Sequence, residues 1–119
     1  MTDSTRREWT FACASAAEAG DFLQVLFTDN ADSVGRYVLL STQFEFPQDH
    51  DIQIETNGGE WFAQVRVEAA SLSREKLTLD GIANGKPVAI RISFGANDAK
   101  FAELQRVIKI MLPMTKFPR

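Results

Sequence analysis

Hydrophobic residues fall on alternate positions through most of residues 51–94. Ile52 and Ile54 start the pattern, and Trp61, Ala63, Val65, Val67 and Ala69 continue it. It resumes at Leu77 and Leu79 and again at Val88, Ile90, Ile92 and Phe94. A strand points successive side chains to opposite faces, so a period of two marks strands with one face in a core. Asn57-Gly58-Gly59 separates the first two runs, in the chemistry of a tight hairpin turn. Residues 71–74 and Asn84-Gly85-Lys86-Pro87 punctuate the later runs. The pattern predicts a four-stranded meander.

Ahead of it, Trp9-Thr10-Phe11-Ala12-Cys13 alternates, with Trp9, Phe11 and Cys13 on one side, and predicts a first strand. Residues 14–20 read as a turn or short loop. Residues 22–27 and Tyr37-Val38-Leu39-Leu40 are apolar at nearly every position, which fits strands covered on both faces, with a helical turn as the alternative for the second. The polar stretch 28–36 between them is a loop. Phe44-Glu45-Phe46-Pro47 ends the third strand, because proline cannot donate to a ladder.

The period changes once, near the end. Over residues 97–112, Phe101, Leu104, Ile108 and Met111 recur at helical spacing, and Val107 and Leu112 widen the stripe. Asn97 or Asp98 supplies a cap, Lys109 suits the last turn, and Pro113 stops the helix. The stripe needs an apolar partner, and the meander offers the large one. The expected fold is α+β: a mainly antiparallel meander sheet of six to seven strands with one C-terminal helix on a face. Residues 1–119 form a single domain, with 1–8 as a disordered start and 114–119 as an extended tail.

Composition narrows the function. The 119 residues are 45 % hydrophobic and 24 % charged, an ordinary globular balance. The polar start has no signal-peptide pattern, and no run approaches the roughly 20 apolar residues of a membrane helix. A lone cysteine, Cys13, excludes an internal disulfide and suits a reducing compartment, so a cytoplasmic location is expected. Net charge is −3, but residues 1–60 hold eleven acids against three arginines, and the rest hold five acids against ten bases. Either the acidic half presents a surface that steers a partner, or the two halves interleave and their charges mix.

Catalytic chemistry is missing. His50, the one histidine, sits between Asp49 and Asp51 and reads as a solvated turn residue rather than as a base or metal ligand. Cys13 has no second group to activate it and reads as core. The glycines lack the spacing of a phosphate loop. Asp29, Asp32 and Ser33 resemble the start of a Ca²⁺ loop, but Val34 and Leu40 stand where its glycine and glutamate belong. An acidic chain with no dense basic patch is a poor binder of nucleic acid. Neither an enzyme nor a metal or cofactor protein is expected.

The polar face of the meander is more informative. It carries Asp51, Gln53 and Glu55 on one strand and Phe62, Gln64, Arg66 and Glu68 on the next. A turn at Asn57-Gly58 would set Glu55 against Glu60; a turn at Gly58-Gly59 pairs Glu55 with Phe62 instead, and is the expected register. Asp49, Asp51, Glu55, Glu60 and Phe62 form the candidate partner-binding site. Phe62 is either an aromatic anchor on a solvated face or, beneath a second layer, part of a core.

Several stretches resemble a family of small bacterial immunity proteins, the tenth numbered group among those encoded beside polymorphic toxins. They are Arg36-Tyr37-Val38-Leu39-Leu40, Phe44-Glu45-Phe46 with Gln48-Asp49, and Ile52-Gln53-Ile54-Glu55. The resemblance continues through Val67, Leu72, Arg74, Leu77 and Leu79, then Ile90-Arg91-Ile92-Ser93-Phe94, the helix from Asp98 and its stop after Leu112. It implies a stoichiometric, non-catalytic inhibitor that binds and neutralises a cognate protein toxin. The alternative expectation is a small-molecule binding module, with an aromatic-lined ligand site between helix and sheet.

Overall fold

The computed structural model describes residues 5–19, 22–29, 36–43, 51–57, 62–95 and 98–117. Eight strands precede one helix: β1 (Thr5–Thr10), β2 (Cys13–Ala19), β3 (Phe22–Thr28), β4 (Tyr37–Gln43), β5 (Asp51–Thr56), β6 (Phe62–Leu72), β7 (Lys76–Ala83), β8 (Lys86–Ser93) and α1 (Asp98–Met111). All eight strands form one sheet in the order β1-β8-β7-β6-β5-β4-β3-β2. From β2 to β8 every neighbouring pair is antiparallel, and β1 runs parallel to β8.

That order forces the sheet to curl. Its two outermost strands, β1 and β2, are joined by only Phe11 and Ala12. Laid flat at about 4.8 Å per strand, eight strands would put their edges about 34 Å apart, whereas so short a link reaches about 10 Å. The edges therefore meet at a corner where a long first strand bends and splits its pairing between β8 and β3. The parallel pair follows from the same geometry. Six reversals bring β8 into the direction of β2, and β1 enters β2 without reversing.

Arg36 holds the corner. Its guanidinium makes two bonds to the Asp29 carboxylate (Nε–Oδ2 3.1 Å, Nη2–Oδ1 2.9 Å) and donates to the Thr10 carbonyl at 2.6 Å. It also lies 4.6 Å from the centroid of the Phe11 ring. The Phe11 N–H carries the β1–β8 ladder one step further by donating to the Ser93 carbonyl at 2.8 Å. Phe11, Phe27 and Phe94 then pack ring to ring beneath the corner.

The expected α+β fold with a C-terminal helix on a mainly antiparallel sheet is the observed one, with eight strands instead of six or seven. The extra strand comes from the start of the chain. Residues 5–8, expected to be disordered, belong to β1 because pairing with the edge of β8 requires backbone groups and no apolar run. Residues 14–20 were expected to turn, yet β2 occupies most of that stretch. Its alanines are weak strand formers, but Ala14 and Ala16 are buried and small enough for α1 to pack closely over β2 and β3. The bend at Phe11 and Ala12 also breaks the alternation expected from Trp9 to Cys13, leaving Phe11 and Ala14 buried and Cys13 only half-buried.

The curled sheet and α1 enclose one core. Val25, Leu40, Ile54 and Ala63 form a continuous cross-strand row within it. Leu104, Val107, Ile108 and Met111 of α1 fill the concave side, all buried. An ion pair between Arg106 and Glu18 fixes the helix over β2. Beyond α1 the chain does not hang free: the Lys116 N–H donates to the Ala70 carbonyl and the Leu72 N–H to the Lys116 carbonyl, both at 2.9 Å, making a parallel bridge at Ser71.

A bulge in β6 shifts the register between Val67 and Ala69. Ala69, expected in the core, is exposed as a result, and Ala70 and Leu72 take over the inward positions. Opposite the bulge the backbones approach so closely that a Cβ on Gly81 would lie 2.2 Å from the Arg66 carbonyl oxygen. At the β7–β8 turn Asn84 (φ 54°) and Gly85 (φ 76°) are both left-handed, the two-residue connection that matches strand twist. Asn57 works differently from the expected turn residue. Its side-chain oxygen accepts the Tyr37 N–H at 3.0 Å, tying the end of β5 to the start of β4.

Candidate functional site

Strand alternation leaves the convex face of β3 to β6 pointing away from the core. Two parallel rows cross it. One runs Phe62, Glu55, Leu39, Leu26 and Ser15; the other runs Gln64, Gln53, Ser41, Gln24 and Ala17. The first is apolar apart from Glu55 and the terminal Ser15, and the second is mostly neutral amides and hydroxyls. Charge returns at the margin, where Asp51 lies across from Arg66 with a 3.9 Å contact.

Glu55 faces Phe62, the register expected for the hairpin. No described layer covers this face. Phe62 is 61 % exposed and Phe22 45 %, while Leu26 and Leu39 keep part of their surface in solvent. The expectation that β3 and β4 are covered on both sides therefore fails, because the described helix packs on the concave side. Of the two readings of Phe62, the exposed aromatic is the one observed.

The five candidate residues fare differently. Asp51, Glu55 and Phe62 share the convex face of one hairpin. Asp49 and Glu60 lie outside the described residues, as does His50. Asp51 has a cation opposite it; Glu55 has no ion pair among the described residues. Leu39 and Leu26 were missed as surface residues, since an uninterrupted apolar run gives no sign of which half faces out. The registers across β3, β4 and β5 supply that information, and no single stretch of sequence contains it.

The acidic and basic halves of the chain interleave. Asp51 meets Arg66, Glu18 meets Arg106, and β1 lies against β8. Asp29 is neutralised within its own half by Arg36, whose hydrogen bonds hold its carboxyl below the usual carboxylate range; Asp29 in turn raises the Arg36 pKa. Local features of the convex face, not a whole acidic half, must carry any charge recognition. Among the described residues no three His, Cys, Asp or Glu side chains converge. No described helix is long and apolar enough to cross a membrane.

Among the described residues, clefts open elsewhere. One of about 520 Å³ opens at the corner and is lined by Thr10, Phe11, Lys76 and Phe94 among others. One of about 210 Å³ lies at the opposite end, against Arg7, Ala63, Asn84 and Lys86. Neither has a helix residue in its lining, and the helix stripe packs directly into the core cluster.

No family model, curated protein or solved structure matches this chain.

Proposed function

We propose that this protein is a non-catalytic binding module, an immunity protein that neutralises a cognate bacterial toxin through the convex face of β4 to β6. Phe62 carries the reading. A large aromatic 61 % exposed on a regular strand, beside half-buried leucines, is a surface feature the core does not need. Glu55 and Asp51 supply local negative charge, and Asp49 and Glu60 extend it in the sequence. The resemblance of the stretches at 36–40, 52–55 and 90–94 to immunity proteins gives the partner its class. On this reading the protein acts in the cytoplasm of the cell that makes the toxin.

The partner to test is the product of a toxin-encoding reading frame beside the gene. Purified toxin domain and this protein should form a stoichiometric complex, and the protein should restore growth to cells expressing the toxin. A toxin domain that remains fully active with the protein in excess would refute the reading.

A further inference from the structure

Resting on the reading of the convex face as the partner surface, we infer that Glu55 and Phe62 together form a receptor for a cationic side chain, arginine above all, presented by a basic protein partner. The two residues are directly opposed across β5 and β6, so their Cβ atoms lie about 5 Å apart. A guanidinium bonded to the Glu55 carboxylate would then be within reach of the Phe62 ring, inside the roughly 6 Å of a cation–π contact. Leu39 stands on the other side of Glu55 in the same row and offers an apolar wall for the stem of the incoming side chain.

The protein already builds this arrangement once. At the corner, Arg36 is held by the Asp29 carboxylate while lying 4.6 Å over the Phe11 ring. Glu55 and Phe62 repeat the carboxylate and the ring, and the cation is left for a partner to bring. Charge selects that partner. Among the described residues Glu55 has no ion pair, so a neutral surface docked over the row would bury an uncompensated carboxylate. A second copy of this chain stacked face to face would set Glu55 near its own twin. A basic protein removes both penalties. Asp51 is a weaker candidate, since Arg66 already answers it.

The test needs no toxin. The blocked tripeptide acetyl-Leu-Arg-Leu-amide is titrated into the isotopically labelled full chain, with the citrulline peptide as the isosteric neutral control. Amide signals of Glu55, Phe62 and Leu39 should shift saturably with the arginine peptide, and affinity should fall at least threefold with citrulline. Glu55→Gln should abolish the difference between the two peptides, with an unchanged melting temperature. Shifts that do not saturate, that lie elsewhere, or that are equal for arginine and citrulline would overturn the inference. A saturable arginine site in a protein that fails to protect against the neighbouring toxin would sink the toxin reading alone. Protection that is indifferent to Glu55→Gln and Phe62→Ala would sink the receptor alone.

Discussion

Glu55 and Asp51 are two residues of the same type of charge on the same face of the same strand, four positions apart, and their surroundings give them different roles. Asp51 is opposed by Arg66; Glu55 is opposed by an aromatic ring. Glu55→Gln should therefore slow association with a basic partner at low salt more than Asp51→Asn does, because an uncompensated charge steers encounters and a paired one is partly cancelled. Stopped-flow association rates at two salt concentrations decide this, and equal effects would count against it. Asp29 serves the fold. Its folded pKa lies below the ordinary carboxylate value, so its contribution to stability is present above that range and is lost as pH falls through the folded value. Melting curves of Asp29→Asn should differ from wild type near neutral pH and converge on it in acid. The gap is small, since both partners are solvent-exposed.

Among the elements, α1 offers the sharpest test of packing. Leu104 and Ile108 are fully buried against the concave sheet, and truncating either to alanine should cost about 2–5 kcal/mol by denaturant unfolding. A loss below about 0.5 kcal/mol would mean that the stripe is not core. Gly81→Ala should also destabilise, because the added methyl collides with backbone across the bulge and no side-chain rotation relieves it. The meander and the helix were legible in the sequence because each keeps one period over many residues. Ala69 was misplaced because a bulge inserts a residue without changing composition. β1 and β2 were obscure for another reason. Their pairing is set by backbone groups at the two edges of the sheet, and the alanines and arginines that occupy them have no strand signature. Glu55 opposite Phe62 could be read from turn chemistry, but the exposure of that face depends on which side α1 occupies.

The described residues form a curled sheet whose two edges are the two halves of one bent strand, with α1 in the concavity and no described layer over the convex face. Since β1 is one of those edges, deleting residues 1–8 should cost more than about 2 kcal/mol, well outside the range of an ordinary surface change; an unchanged denaturation midpoint would show that β1 is dispensable. The proposed function assigns folding to the concave face and binding to the convex one, and Phe62 tests that division most directly. Phe62→Ala and wild-type protein should first be compared by thermal melting and then by surface kinetics against a toxin domain of the kind proposed as its partner. An exposed anchor predicts a melting temperature within a few degrees of wild type, since surface truncation costs within about 0.5 kcal/mol. It also predicts a dissociation rate at least about thirtyfold faster, the loss of roughly 2 kcal/mol expected of a hot spot. A folded Phe62→Ala protein that leaves the toxin no faster than wild type would contradict the account.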